Sequence, residues 1–157
     1  MKAAAFEDIQ AEFIARISKA VYCSMATIDE QSRPRSRIMH PIWEGVNNPV
    51  GWAISWPLSH KAKHLERNPH VSLAYIQDKD KPVYVDGRAE WIDDPAEKLR
   101  VWELYKTTPP PLGFDPEPHY GTIHHHYFGL LKFTPWRIEL GSLQGEAIVW
   151  RPVPASI

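Results

Sequence analysis

Trp-Ala-Ile-Ser-Trp-Pro-Leu-Ser-His-Lys-Ala-Lys-His-Leu-Glu-Arg-Asn-Pro-His-Val-Ser-Leu-Ala-Tyr, residues 52–75, reads as strand, short basic helix, strand. Its first part, residues 51–56, is an apolar run bounded by turn signals. Ser59 stands where a helix N-cap is expected, and His60 and Lys61 fall in the first turn. A helix N-terminus offers unpaired N–H groups and the positive end of the helix dipole. A hydroxyl, an imidazole and an ammonium placed there form a candidate phosphate seat. Lys and His in a first turn oppose the dipole, a cost that an arriving anion would offset. The plain alternative is a surface helix that happens to be basic.

Outward from this stretch the chain alternates short strands and inserted helices. Phe6, Ile9, Phe13, Ile17 and Ala20 recur every three or four residues, which predicts a helix over 6–20. Residues 21–29 predict a strand. A polar turn and a second strand follow, opened by Pro34 and running over 35–43, so the two form a hairpin. Pro41 marks an edge or a bulge in it. Residues 50–56 predict a third strand, 59–67 the basic helix, 70–77 a fourth strand and 83–91 a fifth. Gly87 is the expected bulge or close-approach point. Asp94, Pro95 and Glu97 are a helix start, as cap, first-turn proline and dipole partner. That helix is expected to reach about residue 106. Residues 107–120 carry five prolines and predict a functional flap or an interface arm. A long strand over 127–140, interrupted at Thr134-Pro135, and a last strand over 147–151 complete six or seven strands. The pattern predicts one domain over 1–157, mainly β, an antiparallel barrel with added helices.

Composition narrows the function classes. The chain has 157 residues, with seven Trp, six Tyr and five Phe, enough for a packed core. Net charge is −1 and the pI is near 6.7, so no global basic field awaits nucleic acid. Any anion site must be local. No apolar run approaches the length of a membrane span. Acidic residues near the N-terminus argue against a signal peptide. With a single cysteine, Cys23, a reducing compartment fits, and the expected location is cytoplasmic. Cys23 sits among small residues and reads as packed rather than reactive.

Arg33, Arg35 and Arg37 share one face of a strand, because side chains alternate. They are either solvated or gathered around an anion, with Arg37 facing the same anion as Lys61. The order of elements then becomes recognisable. Cys23-Ser-Met-Ala-Thr is followed by Arg-Pro-Arg-Ser-Arg-Ile, then Ser59-His-Lys-Ala-Lys-His-Leu-Glu-Arg-Asn-Pro, then Val85-Asp86-Gly87-Arg88-Ala89. In these motifs the chain resembles the pyridoxamine 5′-phosphate oxidase-like, FMN-binding split-barrel superfamily over nearly its whole length. The resemblance implies a six-stranded antiparallel split β-barrel of Greek-key type with flanking helices. It implies a homodimer with FMN in clefts between the subunits, and flavin-dependent oxidoreductase activity on a small molecule. The cofactor-contacting positions it implies are Arg37, Ile38, Met39 and His40, then Ile54 and Ser55, then Ser59, His60 and Lys61, and finally Arg151. No catalytic acid or base is assigned.

The resemblance is incomplete. The family's arginine before Lys61 is His60 here, which offers fewer donors. The lysine that holds substrate phosphate in the true oxidase is matched by Ile42, and a flavin-contacting glutamine by Pro82. A flavin-contacting tryptophan and a substrate arginine–histidine pair are matched by Gly141, Ala147 and Val149. Pyridoxamine phosphate oxidation is therefore not expected. Two alternatives keep the fold. One is a deazaflavin coenzyme whose polyanionic tail would use His60, Lys61, Lys63, His64 and the arginine row. The other is a non-enzymatic flavin or haem binder. His119, His124, His125 and His126 read as cleft or interface residues, not as a metal site, because no third ligand can be placed. Trp136 and Trp150 read as core or interface filler.

Overall fold

The computed structural model describes residues 1–154. Its elements in chain order are α1 (Glu7–Ala20), β1 (Cys23–Ile28), β2 (Pro34–Met39), β3 (Ile42–Glu44), β4 (Val50–Ser55), α2 (His60–Arg67), β5 (His70–Tyr75), β6 (Val83–Ile92), α3 (Pro95–Thr107), α4 (Glu117–Tyr120), β7 (Gly129–Leu140) and β8 (Ile148–Trp150). All strand pairs are antiparallel, in the order β2-β1-β5-β6-β7-β4-β3, with β8 on β7. The two outermost strands, β2 and β3, are successive in the chain. They are halves of one strand bent at His40-Pro41, so the sheet curls until its ends are covalently joined. Proline there removes a ladder donor, and the break that it signals in the sequence is this corner. With β2 and β3 taken as one, six strands and the short β8 make the half-open barrel.

Alternation decides what faces inward. Cys23, Met25 and Thr27 of β1, Leu73 of β5, Val85 of β6 and Phe133 of β7 are all buried. Phe13 and Ile17 of α1 close one mouth of the barrel, and Phe13 meets Trp43 edge-on at 5.6 Å. Cys23 is packed as expected, and burial pushes its thiol up to about 12. Trp150 is core filler and meets Phe6 edge-on at 5.5 Å. On the outer side, Val101 and Tyr105 of α3 pack on Ile42, Trp52 and Leu130. The Tyr105 hydroxyl bonds the carbonyls of His40 (2.7 Å) and Trp52 (2.9 Å), pinning α3 to the bent corner. Asp94 caps α3 through the Ala96 amide, and Pro95 occupies its first position.

One expectation changes. The long strand is not interrupted at Thr134-Pro135. It runs through, and the register shift beside Asp86 and Gly87 absorbs the irregularity by leaving Trp136 extra. Gly87 is required there, since a Cβ would come within 2.6 Å of the Thr134 carbonyl oxygen. Part of the proline-rich segment is anchored on its own chain. Phe114 N–H donates to the Tyr105 carbonyl, and Leu112 and Phe114 pack beside α3. No helix among the described residues is long and apolar enough to cross a membrane.

Candidate functional site

The rim of the barrel where α2 starts brings β1, β2 and α2 together. Arg37 lies on the inward face of β2 with Met39, opposite Met25 of β1. Its Nη1 donates to Thr27 Oγ1 at 2.6 Å and to the Met25 carbonyl at 3.3 Å. Lys61, half-buried in the first turn of α2, donates to Ser59 Oγ at 2.9 Å. Burial pulls the Lys61 ammonium below its ordinary value, and the Arg37 charge pulls the same way. Burial likewise lowers Arg37, with Arg35 adding to it. Among the described residues neither cation has a carboxylate partner.

The arginine row is not uniform. Arg33 Nε donates to Asp29 Oδ2 at 2.9 Å, and Arg35 approaches the same oxygen at 3.9 Å. The Arg33 and Gln31 amides also donate to Asp29 Oδ1. The Arg33 amide bond, aided by the Arg33 guanidinium and the Gln31 amide, holds the Asp29 carboxyl below its ordinary value. Two of the three arginines therefore share an internal counter-ion, and Arg37 alone is left for an external one.

The other anticipated positions spread over two faces. Ser59 holds the N-cap position through its backbone, but its hydroxyl serves Lys61 instead of the helix amides. The helix start is therefore free of a side-chain cap. His60 is exposed and lines a cleft of about 210 Å³ with Asp29, Arg33, Arg35, Lys63 and His64. Met39 is buried in the core, and Ile38 is 69% exposed on the outer face of β2. Ile54 packs toward α3, whereas Ser55, its neighbour on β4, is buried and faces the other way. Only one of that pair can offer its side chain to a single ligand. The His40 ring is engaged: Nε2 bonds the Leu112 carbonyl at 2.6 Å, and Tyr22 and Phe114 pack on it. Arg151 stacks over Trp136 at 5.7 Å, beyond β8, while Ser55 pairs with Gly129 at the opposite end of β7. Within one chain Arg151 does not join Arg37 and Lys61.

His64, one of the basic groups that the sequence offers to a polyanionic tail, does not stand free. It is 7% exposed, and its Nδ1 lies 2.8 Å from Thr27 Oγ1. Thr27 and Tyr105, both buried, are not marked in the sequence, because a threonine on an inward strand face and a tyrosine in a helix carry no local signal. Of the oxidase-specific positions, Ile42 is buried under α3. Pro82 and Gly141 touch each other, and a side chain at 141 would meet Pro82 Cγ at 2.7 Å. Among the described residues no three His, Cys, Asp or Glu side chains gather as a metal site. His125 and His126 instead stack at 4.5 Å, and His126 packs against Tyr127 at 4.1 Å.

The curled sheet with a pair of unneutralised cations at its rim defines a split-barrel protein. A family model described as pyridoxamine 5′-phosphate oxidase matches residues 9–111, and the chain belongs to that family. A pyridoxine/pyridoxamine 5′-phosphate oxidase of Haemophilus influenzae is 35% identical over 95 residues, which are 59% of this chain and 43% of that protein. The chain thus matches less than half the length of this curated relative. A Clostridium acetobutylicum protein, described as related to general stress protein 26 of B. subtilis and of the pyridoxinephosphate oxidase family, shares the fold with a TM-score of 0.72 at 17% identity, over 92% of this chain and 95% of its own. A pyridoxamine 5′-phosphate oxidase-related, FMN-binding protein of Nostoc punctiforme has a TM-score of 0.63 at 18% identity, over 93% and 89%.

Proposed function

We propose that this chain binds FMN and acts as a flavin-dependent oxidoreductase, as a homodimer with the cofactor between subunits. The observation that carries the reading is the pair Arg37 and Lys61. Two half-buried cations of like sign, each held only by neutral oxygens, leave a charge imbalance that a phosphate dianion would relieve. Arg37 spends Nη1 on the protein and keeps Nε and Nη2, the edge suited to two parallel bonds to phosphate oxygens. The uncapped first turn of α2 adds amides and the positive dipole end. The backbone around Ile38, Ile54 and Ser55 would border the ring. When bound, FMN supplies hydride or electron transfer, and the protein holds and orients it. Arg151 would reach a site only from the partner subunit, since in its own chain it lies away from Lys61.

Pyridoxamine phosphate is not the substrate in this reading, because Ile42 sits buried where the oxidase needs a phosphate-binding lysine. FMN is favoured over a deazaflavin with a polyanionic tail because Arg33 and Arg35 already share Asp29 and His64 is occupied by Thr27. The absorption spectrum of the purified protein, with added FMN, tests the proposal. Bound FMN gives a two-banded yellow spectrum that stays with the protein through gel filtration at dimer mass. A Soret band, or capture of the deazaflavin alone, overturns it.

A further inference from the structure

Arg37, Thr27 and His64 come from β2, β1 and α2 and form one hydrogen-bonded row. Arg37 Nη1 donates to Thr27 Oγ1 at 2.6 Å, and Thr27 Oγ1 lies 2.8 Å from His64 Nδ1. A guanidinium can only donate, so the Thr27 oxygen accepts from it. The same hydroxyl meets His64 Nδ1, donating to it when the imidazole proton sits on Nε2 and accepting from it when the proton sits on Nδ1. Burial, with the Arg37 and Arg35 charges and against that of Asp29, favours the neutral imidazole. Packing alone does not ask for this arrangement, since valine would fill the place of the buried Thr27.

The row has a geometric consequence. Both Nη1 protons of Arg37 are spent, on Thr27 Oγ1 and on the Met25 carbonyl. That locks the plane of the guanidinium and turns its Nε/Nη2 edge away from β1. Through His64 the same row ties Arg37 to the helix that carries Lys61. We infer that Thr27 and His64 are positioning residues, which aim the free edge of Arg37 at the cofactor phosphate and keep it in register with Lys61. The inference rests on the FMN reading above.

The test compares FMN with riboflavin, which lacks the phosphate, by flavin-fluorescence titration of the full chain. Thr27→Val and His64→Leu each remove one link. Both are expected to weaken FMN about tenfold while riboflavin shifts by less than about twofold. Thr27→Ser keeps the hydroxyl, and His64→Asn places an amide oxygen near the position of Nδ1. Both are expected to restore most of the FMN affinity. Circular dichroism melts check each variant, and if Thr27→Val does not fold, His64→Leu carries the same expectation. Unchanged FMN affinity in both deletions, equal losses for FMN and riboflavin, or failure of the conservative variants to recover would each overturn the positioning role. Wild-type chain that binds no FMN overturns the parent reading and this one together, and shows itself before any substitution is made.

Discussion

Replacing Lys61 by methionine should weaken FMN binding without a loss of stability. Methionine keeps an aliphatic stem of similar length, so the packing of the half-buried side chain survives. What disappears is a cation with a neutral partner, Ser59 Oγ at 2.9 Å, beside another cation, Arg37. Its hydrogen bond contributes about 1 kcal/mol, and relief of desolvation and like-charge repulsion returns a similar amount. The ligand-free protein should therefore melt at an unchanged or slightly higher temperature. Loss of one charge-assisted bond to phosphate costs about 1.5–3 kcal/mol, which corresponds to roughly 10- to 100-fold weaker FMN binding. Riboflavin should be bound as before. The assays are flavin-fluorescence titration with both ligands and thermal melts of the ligand-free chain. Unchanged FMN affinity would refute the phosphate-seat argument. So would a clear loss of stability without ligand, which would show that Lys61 is a structural cation.

Tyr105→Phe should cost about 1–3 kcal/mol in urea unfolding, because a fully buried hydroxyl bonds two carbonyls at the sheet corner. A loss below about 0.5 kcal/mol would mean that water or a shifted backbone takes over those carbonyls. The protein should also lose stability as pH falls from about 7.5 to about 5.5. His40 and His64 both have folded values lowered by burial, with the Leu112 carbonyl partly opposing at His40, and at His64 Arg37 and Arg35 adding while Asp29 opposes. In that range the unfolded chain takes up protons that the folded chain refuses, so acidification favours unfolding. Urea midpoints across the range measure this. His64→Asn should flatten part of the slope, and a flat wild-type profile would contradict the assignment of neutral, buried imidazoles.

Much of the fold was legible in residue order. The spacing of Ile9, Phe13 and Ile17 marked α1, Asp94-Pro95 marked the start of α3, and Gly87 marked the bulge. Pro41 marked a break, though the sequence could not say that the break joins the two ends of the sheet. Thr134-Pro135 reads locally as an interruption, but Pro135 faces Gly87, where the missing side chain gives it room. The five prolines of residues 107–120 read as a flap or an interface arm, and residue order did not show that Phe114 and Leu112 find apolar partners on α3.

The candidate site divides the same way. Lys61 at the start of a short helix and Arg37 on an alternating strand are properties of local sequence, set by period and turn chemistry. Which cation remains unneutralised is not. Asp29 takes Arg33 and Arg35 because the β1–β2 turn folds its carboxylate back over the hairpin. Thr27 meets Arg37 because antiparallel register sets both on one face of neighbouring strands, and it meets His64 because α2 packs across β1. Local sequence suffices for the basic start of the helix after Ser59 and for the strands around it. That Arg37 and Lys61 are the pair left without a carboxylate partner follows from the folded chain alone, because charge balance is settled by contacts between segments that local periodicity does not encode.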